Sequence, residues 1–199
     1  DTKAIVETWR YSRSDFVSMA ATILITLLFG VELGIVAGVG LSLLLFLHRT
    51  SSPHSAIVGR VPGKEHFRNI ERFEVEIDRE ILTLRVDESL YFANARYLED
   101  RVHDLISQHR QVKHFILMCP AVNLIDASAL ESLEAINLRL KDSGVSFHFS
   151  EIKGPVMDRL KHTHLMHDLT GQVFLSQYDA WRTLHGEGPG EVSTPNKGN

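Results

Sequence analysis

The 199-residue sequence predicts an α/β fold, a sheet with alternating strands and helices, preceded by a transmembrane helical hairpin. Residues 16–47 form an apolar run with a single ionisable side chain, Glu32, and runs beyond about 18 apolar residues indicate membrane insertion. From Phe73 onward, short segments of strand-like alternation take turns with segments whose apolar residues recur at helical spacing. The two patterns divide the chain into a membrane part and a sheet domain.

The apolar run is too long for one upright helix and has a weak point near its middle. A straight helix of this length would measure about 48 Å, against a hydrocarbon core of about 30 Å. Gly30 and Gly34 flank Glu32, which makes this stretch the poorest helix former in the run. Basic residues precede and follow the run, so both ends are expected on the cytoplasmic side. These features predict a hairpin that turns at residues 30–34, with one tilted helix as the alternative.

Glu32 is the intramembrane polar candidate of this segment. A carboxylate within a membrane segment could relay protons or ions, or it could reach the interface from the hairpin turn. Short helices that carry a carboxylate need surrounding protein, so we expect a larger membrane domain upstream. The start at Asp1, without an initiator Met, fits a fragment of a longer protein.

Composition predicts four parts of the chain. Residues 1–50 are expected to end a membrane domain, with an interfacial segment before the hairpin. Residues 51–71 are rich in Ser, Pro and Gly and predict a linker with a short extended piece at 56–61. Residues 72–186 are expected to form the sheet domain and residues 187–199 a disordered tail.

Inside the sheet domain, the patterns predict a largely parallel sheet, since strands alternating with helices indicate crossover connections. The predicted strands are 73–78, 81–86, 113–119, 145–149 and 173–175, the first two forming a hairpin through Arg79 and Glu80. The predicted helices are 94–109, 126–141, 155–162 and 178–184.

Several function classes lack support in the composition and motifs. The net charge of −4 gives the chain no general excess of positive charge with which to bind nucleic acid. Cys119 is the single cysteine, so an internal disulfide and a Cys-based zinc site are excluded, and we interpret it as a small core residue. His162, His164 and His167 do not share one helix face and are interpreted as a surface cluster. With no catalytic constellation and no phosphate-binding glycine loop, we expect no metal, no cofactor and no enzymatic activity.

Two pairs of motifs carry a resemblance to a known family. GIVAGV at 34–39 and LHR at 47–49 resemble the end of the membrane domain in SulP-type anion permeases, and LYFANA at 90–95 and IDASAL at 125–130 resemble signatures of the STAS domain that follows it. The resemblance implies a STAS-type sheet and a multi-pass bacterial inner-membrane permease for sulfate or bicarbonate. It also implies a secondary transporter such as a symporter, a homodimer, and a possible cytoplasmic protein partner for the STAS domain. The anion site of this family lies in upstream membrane helices, so the substrate-binding residues are unknown here.

Asp126 and Ser128 are the candidate regulatory or partner-binding residues. Asp126 stands where it can cap a helix. In the related anti-sigma-factor antagonists, the serine at the position of Ser128 is phosphorylated, and a helix N-terminus accommodates phosphate. Ala127 and Ala129 depart from the pattern of those regulators, so a cap or ligand-docking role is favoured and phosphorylation is the alternative. Tyr91 and Phe92, beside the preceding helix start, are expected in the core or against the membrane domain.

Two functions remain open. The chain is either the end of a secondary anion transporter with its regulatory domain, or a membrane-tethered STAS regulator that binds a partner protein or small anion without transport. A simple tether needs one helix of about 20 residues. The long apolar run, broken at Gly30 to Gly34, therefore favours the transporter.

Overall fold

A computed structural model describes residues 9–11 and 13–186, which belong to two compact units, Asp1–Ser52 and Pro53–Asn199. The predicted tail at 187–199 lies outside the described residues, as does most of the predicted interfacial segment before the hairpin.

The first unit is a helical hairpin. Helix α1 (Arg13–Phe29) and helix α2 (Val31–Thr50) are separated by Gly30, whose φ of 93° lies in the left-handed region that favours glycine. The helices run antiparallel: Ser18 Oγ lies 3.2 Å from Ser42 Oγ. The predicted hairpin is thus confirmed, and the alternative of a single tilted helix is wrong.

Small residues let the two helices approach closely. A Cβ atom on Gly38 would lie 2.7 Å from Thr22 Oγ1, and one on Gly34 would collide with Thr26. Both threonine hydroxyls donate to carbonyl oxygens four residues earlier at 2.8 Å, so neither threonine leaves an unsatisfied hydroxyl hydrogen in the seam. Helix α2 is the one described helix that is long and apolar enough to cross a membrane, and the apolar part of α1 is shorter.

The second unit contains, within residues 53–186, a six-stranded mixed sheet with the strand order β2-β1-β3-β4-β5-β6. The strands are β1 (Ser55–Arg60), β2 (Phe67–Asn69), β3 (Ile81–Val86), β4 (His114–Met118), β5 (Ser146–Ser150) and β6 (Val173–Phe174). β1 is antiparallel to both of its neighbours, whereas β3 to β6 are parallel. The helices are α3 (Phe92–Gln108), α4 (Ala127–Asp142), α5 (Gly154–Leu160), α6 (His164–Asp168) and α7 (Gln177–Leu184). The predicted α/β sheet is confirmed.

The sheet is covered on both faces. Alternate residues of the central strands, such as Leu84, Phe115 and Phe149, are fully buried in the core cluster that also contains the apolar residues of α3 and α4. The opposite face carries Ile116 and packs against Ala180 of α7. Central strands of this sheet therefore cannot hold unpaired charges on either face.

Most predicted elements of the sheet domain are confirmed, with ends that shift by one or two residues. Two predictions are wrong. The first is the linker at 51–71: its predicted extended piece at 56–61 is present as β1, but β1 is an interior strand with Ala56 and Val58 buried, so the sheet begins inside that range. The Ser, Pro and Gly residues around β1 mark its flanking turns, and a strand of six residues between them resembles loop sequence.

The second wrong prediction is the strand at 73–78. These residues form only an isolated bridge between Arg60 and Glu76, and Phe73 and Ile77 are 54% and 67% exposed. The antiparallel partner of β3 is β1 instead. In that interior position, the alternating acidic residues of 73–78 would have to face a covered side of the sheet, which burial of charge disfavours.

Candidate functional site

The chain segments that follow β3 and β4 run side by side toward two helix starts. Both strands are parallel, so their carboxyl ends meet at the same edge of the sheet. Leu90 N donates to Leu124 O at 2.9 Å, and Asp126 N donates to Leu90 O at 3.1 Å. This short pairing brings the first turns of α3 and α4 next to each other.

Asp126 joins these two first turns. Its Oδ1 accepts the backbone N–H of Ala129 in α4 at 2.8 Å, and its Oδ2 accepts the backbone N–H of Phe92 in α3 at 2.9 Å. The predicted cap is confirmed for α4, and the same carboxylate also satisfies α3. Its negative charge lies beside the positive ends of both helices.

Asn94 supports the start of α3 and was not singled out from the sequence. Its Oδ1 accepts from Tyr91 N at 3.0 Å, and its Nδ2 donates to Ser89 O at 2.9 Å. The side chain is fully buried. Its position three residues after the N-cap fits a capping box, but the N-cap is a tyrosine, which does not signal such a box in a sequence.

Around Asp126 this end of the domain presents exposed side chains. Ser128 is exposed on the first turn of α4, while Asp126 is half-buried. Phe92 is 65% exposed and Leu124 is 41% exposed, so the prediction that Phe92 packs in the core is wrong. The Phe92 ring instead makes an edge contact with Tyr91, with centroids 6.0 Å apart. We call Phe92, Leu124, Asp126 and Ser128 the Asp126 edge.

A cleft of about 160 Å³ lies beside the Asp126 edge. Its lining includes Arg159 and Thr163, and Lys153 nearby donates to Asn123 Oδ1 at 2.7 Å. Small-molecule sites usually measure about 300 Å³ or more. The cleft therefore suits only a small group, such as an anion or one side chain of a partner.

The remaining candidates lie elsewhere. Glu32 is exposed in the first turn of α2, in the other unit, and its role as a relay or interface residue stays a prediction. His167 Nδ1 lies 2.8 Å from Asp168 Oδ1, and within residues 9–11 and 13–186 no three metal-binding side chains come together. Burial raises the pKa of the Cys119 thiol to about 12, so this cysteine is an inert core residue, as expected.

A histidine pair, with His148 buried and His114 half-buried, is a second polar feature that was not predicted from the sequence. His148 Nδ1 accepts from Gln172 N at 3.0 Å, and its Nε2 faces His114 Nδ1 at 3.1 Å. Burial, with a smaller contribution from His114, lowers the pKa of His148 to about 4. Burial also lowers the pKa of His114. The pair depends on the register of β4 against β5, which no local sequence pattern reveals.

Comparisons with known proteins agree with this architecture. The model of the STAS domain family matches residues 72–180. The probable sulfate transporter 4.2 of Arabidopsis thaliana is 31% identical over 193 residues, which cover 90% of this chain and 28% of that protein. The chloroplastic sulfate transporter 4.1 of the same plant is 33% identical over 153 residues, covering 71% of this chain and 22% of that protein. The chain thus spans only about a quarter of the length of these relatives.

A solved structure shows the same fold. The murine Solute Carrier 26 family member A9 anion transporter, in the inward-facing state, matches with a TM-score of 0.80 at 19% identity, over 92% of this chain and 30% of that one. The resemblance to the C-terminal part of SulP-type transporters is thereby confirmed, and through residues 72–180 the chain belongs to the STAS domain family.

Proposed function

We propose that this chain is the C-terminal part of a secondary anion transporter of the sulfate type. The observation that carries the proposal is the extent of the similarity, since the match to the plant sulfate transporter covers 90% of the chain and is not limited to the STAS domain. In this proposal the α1–α2 hairpin closes the membrane domain, and the STAS domain regulates transport.

The alternative is a membrane-tethered STAS regulator without transport activity. A tether requires one membrane-spanning helix. The chain instead has two apolar helices that pack through Gly34 and Gly38 against threonines, as helices of a multi-pass domain do. This packing favours the transporter.

The topology of the hairpin supports a location for the STAS domain. Because α1 and α2 are antiparallel, Arg13 at the start of α1 and Arg49 in the last turn of α2 belong to the same end of the hairpin. Positively charged flanks prefer the cytoplasmic side. We therefore propose that both ends of the hairpin and the STAS domain are cytoplasmic. A bacterial inner membrane and a homodimer remain predictions from the family resemblance, since the curated relatives reported above are plant proteins.

The decisive experiment is uptake by the complete protein. Radiolabelled sulfate, bicarbonate and a dicarboxylate would be offered to vesicles that contain the full-length transporter. We expect saturable uptake of at least one of these anions, and none by residues 1–199 alone, because the proposed anion-binding helices lie upstream. Absence of uptake for every anion, with the protein correctly inserted, would support the tethered regulator instead.

Within this function, the Asp126 edge is the proposed regulatory and partner-binding surface. A phosphate on Ser128 or a bound partner would lie near the N–H groups that Asp126 now satisfies and would compete for them. Ser128→Glu in the full transporter should change the maximal uptake rate severalfold. Ser107→Glu, at an exposed site near the end of α3, is the matched control and should leave uptake unchanged. Equal rates for both variants would exclude this regulatory surface.

A further inference from the structure

A second cavity lies at the amino-terminal edge of the parallel strands, the edge opposite to Asp126. It measures about 310 Å³, which falls in the range of small-molecule sites. Its walls are formed largely by aliphatic side chains, namely Ile57, Val58, Ile77, Ile81, Leu82 and Val112. The interior therefore favours an apolar group.

Two arginines are among the residues that line the same cavity. Arg79, just before β3, and Arg110, in the turn after α3, are exposed, and neither forms an ion pair with another residue in the described part of the chain. The cavity also contains a carboxylate, Asp78, but that group is already engaged. It accepts from Glu80 N at 2.8 Å and from His185 Nδ1 at 2.6 Å. Burial acts to raise the pKa of Asp78, but these two hydrogen bonds outweigh it and the net pKa is lowered.

Trp181 also lines the cavity, and its indole N–H is unpaired among the described residues. The side chain is 5% exposed, and its Nε1 is a buried polar atom without a hydrogen-bond partner among the described residues. Buried donors are nearly always paired, so an unpaired one calls for an explanation. By contrast, Gln177 on the same helix is satisfied at both ends, by Thr83 and Ser150.

The geometry points to a binding site for a small organic carboxylate with an apolar body of about six carbons. The aliphatic walls take the body, and Arg79 and Arg110 hold the carboxylate through charge-assisted hydrogen bonds. Inorganic anions such as sulfate have no apolar body and do not fit these walls. The site therefore goes beyond the proposed transport function and gives the STAS domain a small-molecule ligand of its own.

Hexanoate is a suitable probe, with the full chain held in lipid nanodiscs. The chain has two tryptophans, Trp9 and Trp181, which belong to different units. With ¹⁵N-labelled tryptophan, hexanoate should shift the indole N–H signal of Trp181 in a saturable manner and leave that of Trp9 in place. Equal shifts of both signals would show partition into the lipid and would overturn the proposal. So would the absence of any shift of the Trp181 signal.

Two comparison ligands test the chemistry of recognition. Hexanol has the same apolar body without the charge, and sulfate has charge without the body. Both should bind at least about tenfold more weakly than hexanoate, which is the ratio that a charge-assisted hydrogen bond provides. Equal binding of either ligand would contradict the proposal.

Variants of residues around the cavity test which side chains bind hexanoate. Arg79→Gln and Arg110→Gln should each raise the dissociation constant for hexanoate about three- to tenfold. Arg96→Gln, on the exposed face of α3, is the matched control and should bind like the parent. Ile77→Trp fills the cavity from an exposed position and should abolish binding without unfolding the domain. Unchanged binding in the two rim variants, or in Ile77→Trp, would place hexanoate elsewhere and refute the site.

Discussion

Each carboxylate oxygen of Asp126 accepts a backbone N–H from a different helix, so one side chain contributes to two helix ends. Most N-cap residues serve a single helix, and removing one costs about 0.5–2 kcal/mol. The second interaction at Asp126 and its charge next to two helix N-termini raise its contribution above that of an ordinary cap.

Asp126→Ala should therefore lower the free energy of unfolding of the sheet domain by about 2 kcal/mol. Ser176→Ala removes a cap from α7 alone, where Ser176 Oγ accepts from Asp179 N at 3.0 Å, and should cost about 1 kcal/mol. Asp126→Asn keeps one acceptor but turns an NH₂ group toward a backbone N–H, so its cost should fall between these two. Urea denaturation followed by circular dichroism measures all three, and equal losses for Asp126→Ala and Ser176→Ala would show that the contact to Phe92 contributes nothing.

The histidine pair makes stability depend on pH. The pKa of His148 is about 4 in the folded domain, against about 6.5 in an unfolded chain, so the unfolded state binds more protons between these values. Neutral His148 contributes fully to the free energy of unfolding above pH 6.5. Up to about 3 kcal/mol of that free energy is lost as the pH falls toward 4. His148→Asn can still accept the N–H of Gln172 and does not titrate, so it should flatten this decline. Thermal unfolding of parent and variant between pH 4 and pH 7.5 tests this prediction. If the melting temperature falls equally with pH in both proteins, His148 is not the cause of the decline.

Among the elements, the hairpin was predictable because its signals are local. The length of the apolar run and the glycines at 30 and 34 are visible in the sequence, and the structure uses Gly30 for the left-handed turn. The long helices α3 and α4 were also predictable, since each carries a repeating apolar face.

The close approach of α1 and α2 depends on Gly38. Gly38→Val would push its side chain into Thr22 and separate the helices, whereas Gly40→Val is the matched control because a Cβ there meets nothing within 4 Å. Paired cysteines in place of Ser18 and Ser42, whose hydroxyl oxygens are 3.2 Å apart, report the packing. In lipid vesicles, oxidation should cross-link them efficiently in the parent and in Gly40→Val, and severalfold less in Gly38→Val. Similar cross-linking in all three proteins would show that the contact of Gly38 with Thr22 does not determine how closely α1 and α2 pack.

The strands were harder to predict than the helices. Residues 73–78 alternate well, yet they lie outside the sheet except for one bridge, and β1 takes the place next to β3. The choice between these two segments depends on which of them can be covered on both faces. The helices α3, α4 and α7 determine which strands are covered on both faces. The residues of a strand do not show whether helices will cover it.

At the scale of the whole molecule, β1 decides where the sheet domain begins. The family model starts at residue 72, but β1 and β2 precede it and β1 pairs with β3 along Ser55 to Val58. A chain of residues 72–186 would lose both strands and expose the edge of β3, with part of the core. Exposed edges of this kind promote aggregation.

We therefore expect residues 53–186 to be a soluble monomer or dimer with a cooperative thermal transition. Residues 72–186 should aggregate or lack that transition. Size-exclusion chromatography and differential scanning calorimetry of the two shortened chains make the comparison. A cooperative transition at the same temperature in both would mean that β1 is dispensable.

The candidate site was predictable only in part, because some of its contacts depend on how the strands pair. Asp126 stands before a helical pattern, so its cap of α4 could be expected from the sequence alone. Its bond to Phe92 requires the parallel pairing of β3 and β4, and the contact of His114 with His148 requires the register of β4 and β5. Each is a property of the assembled sheet, with 34 residues separating the partners in both cases.

The shared carboxylate also links the motions of α3 and α4. The two oxygens of Asp126 belong to one rigid group, so fraying of either first turn breaks one bond to Asp126 and loosens the carboxylate that the other turn still uses. We therefore expect the two helix starts to open together, although they follow different strands. We expect a change at Ser128 on α4 to reach Phe92 on α3 through this shared carboxylate.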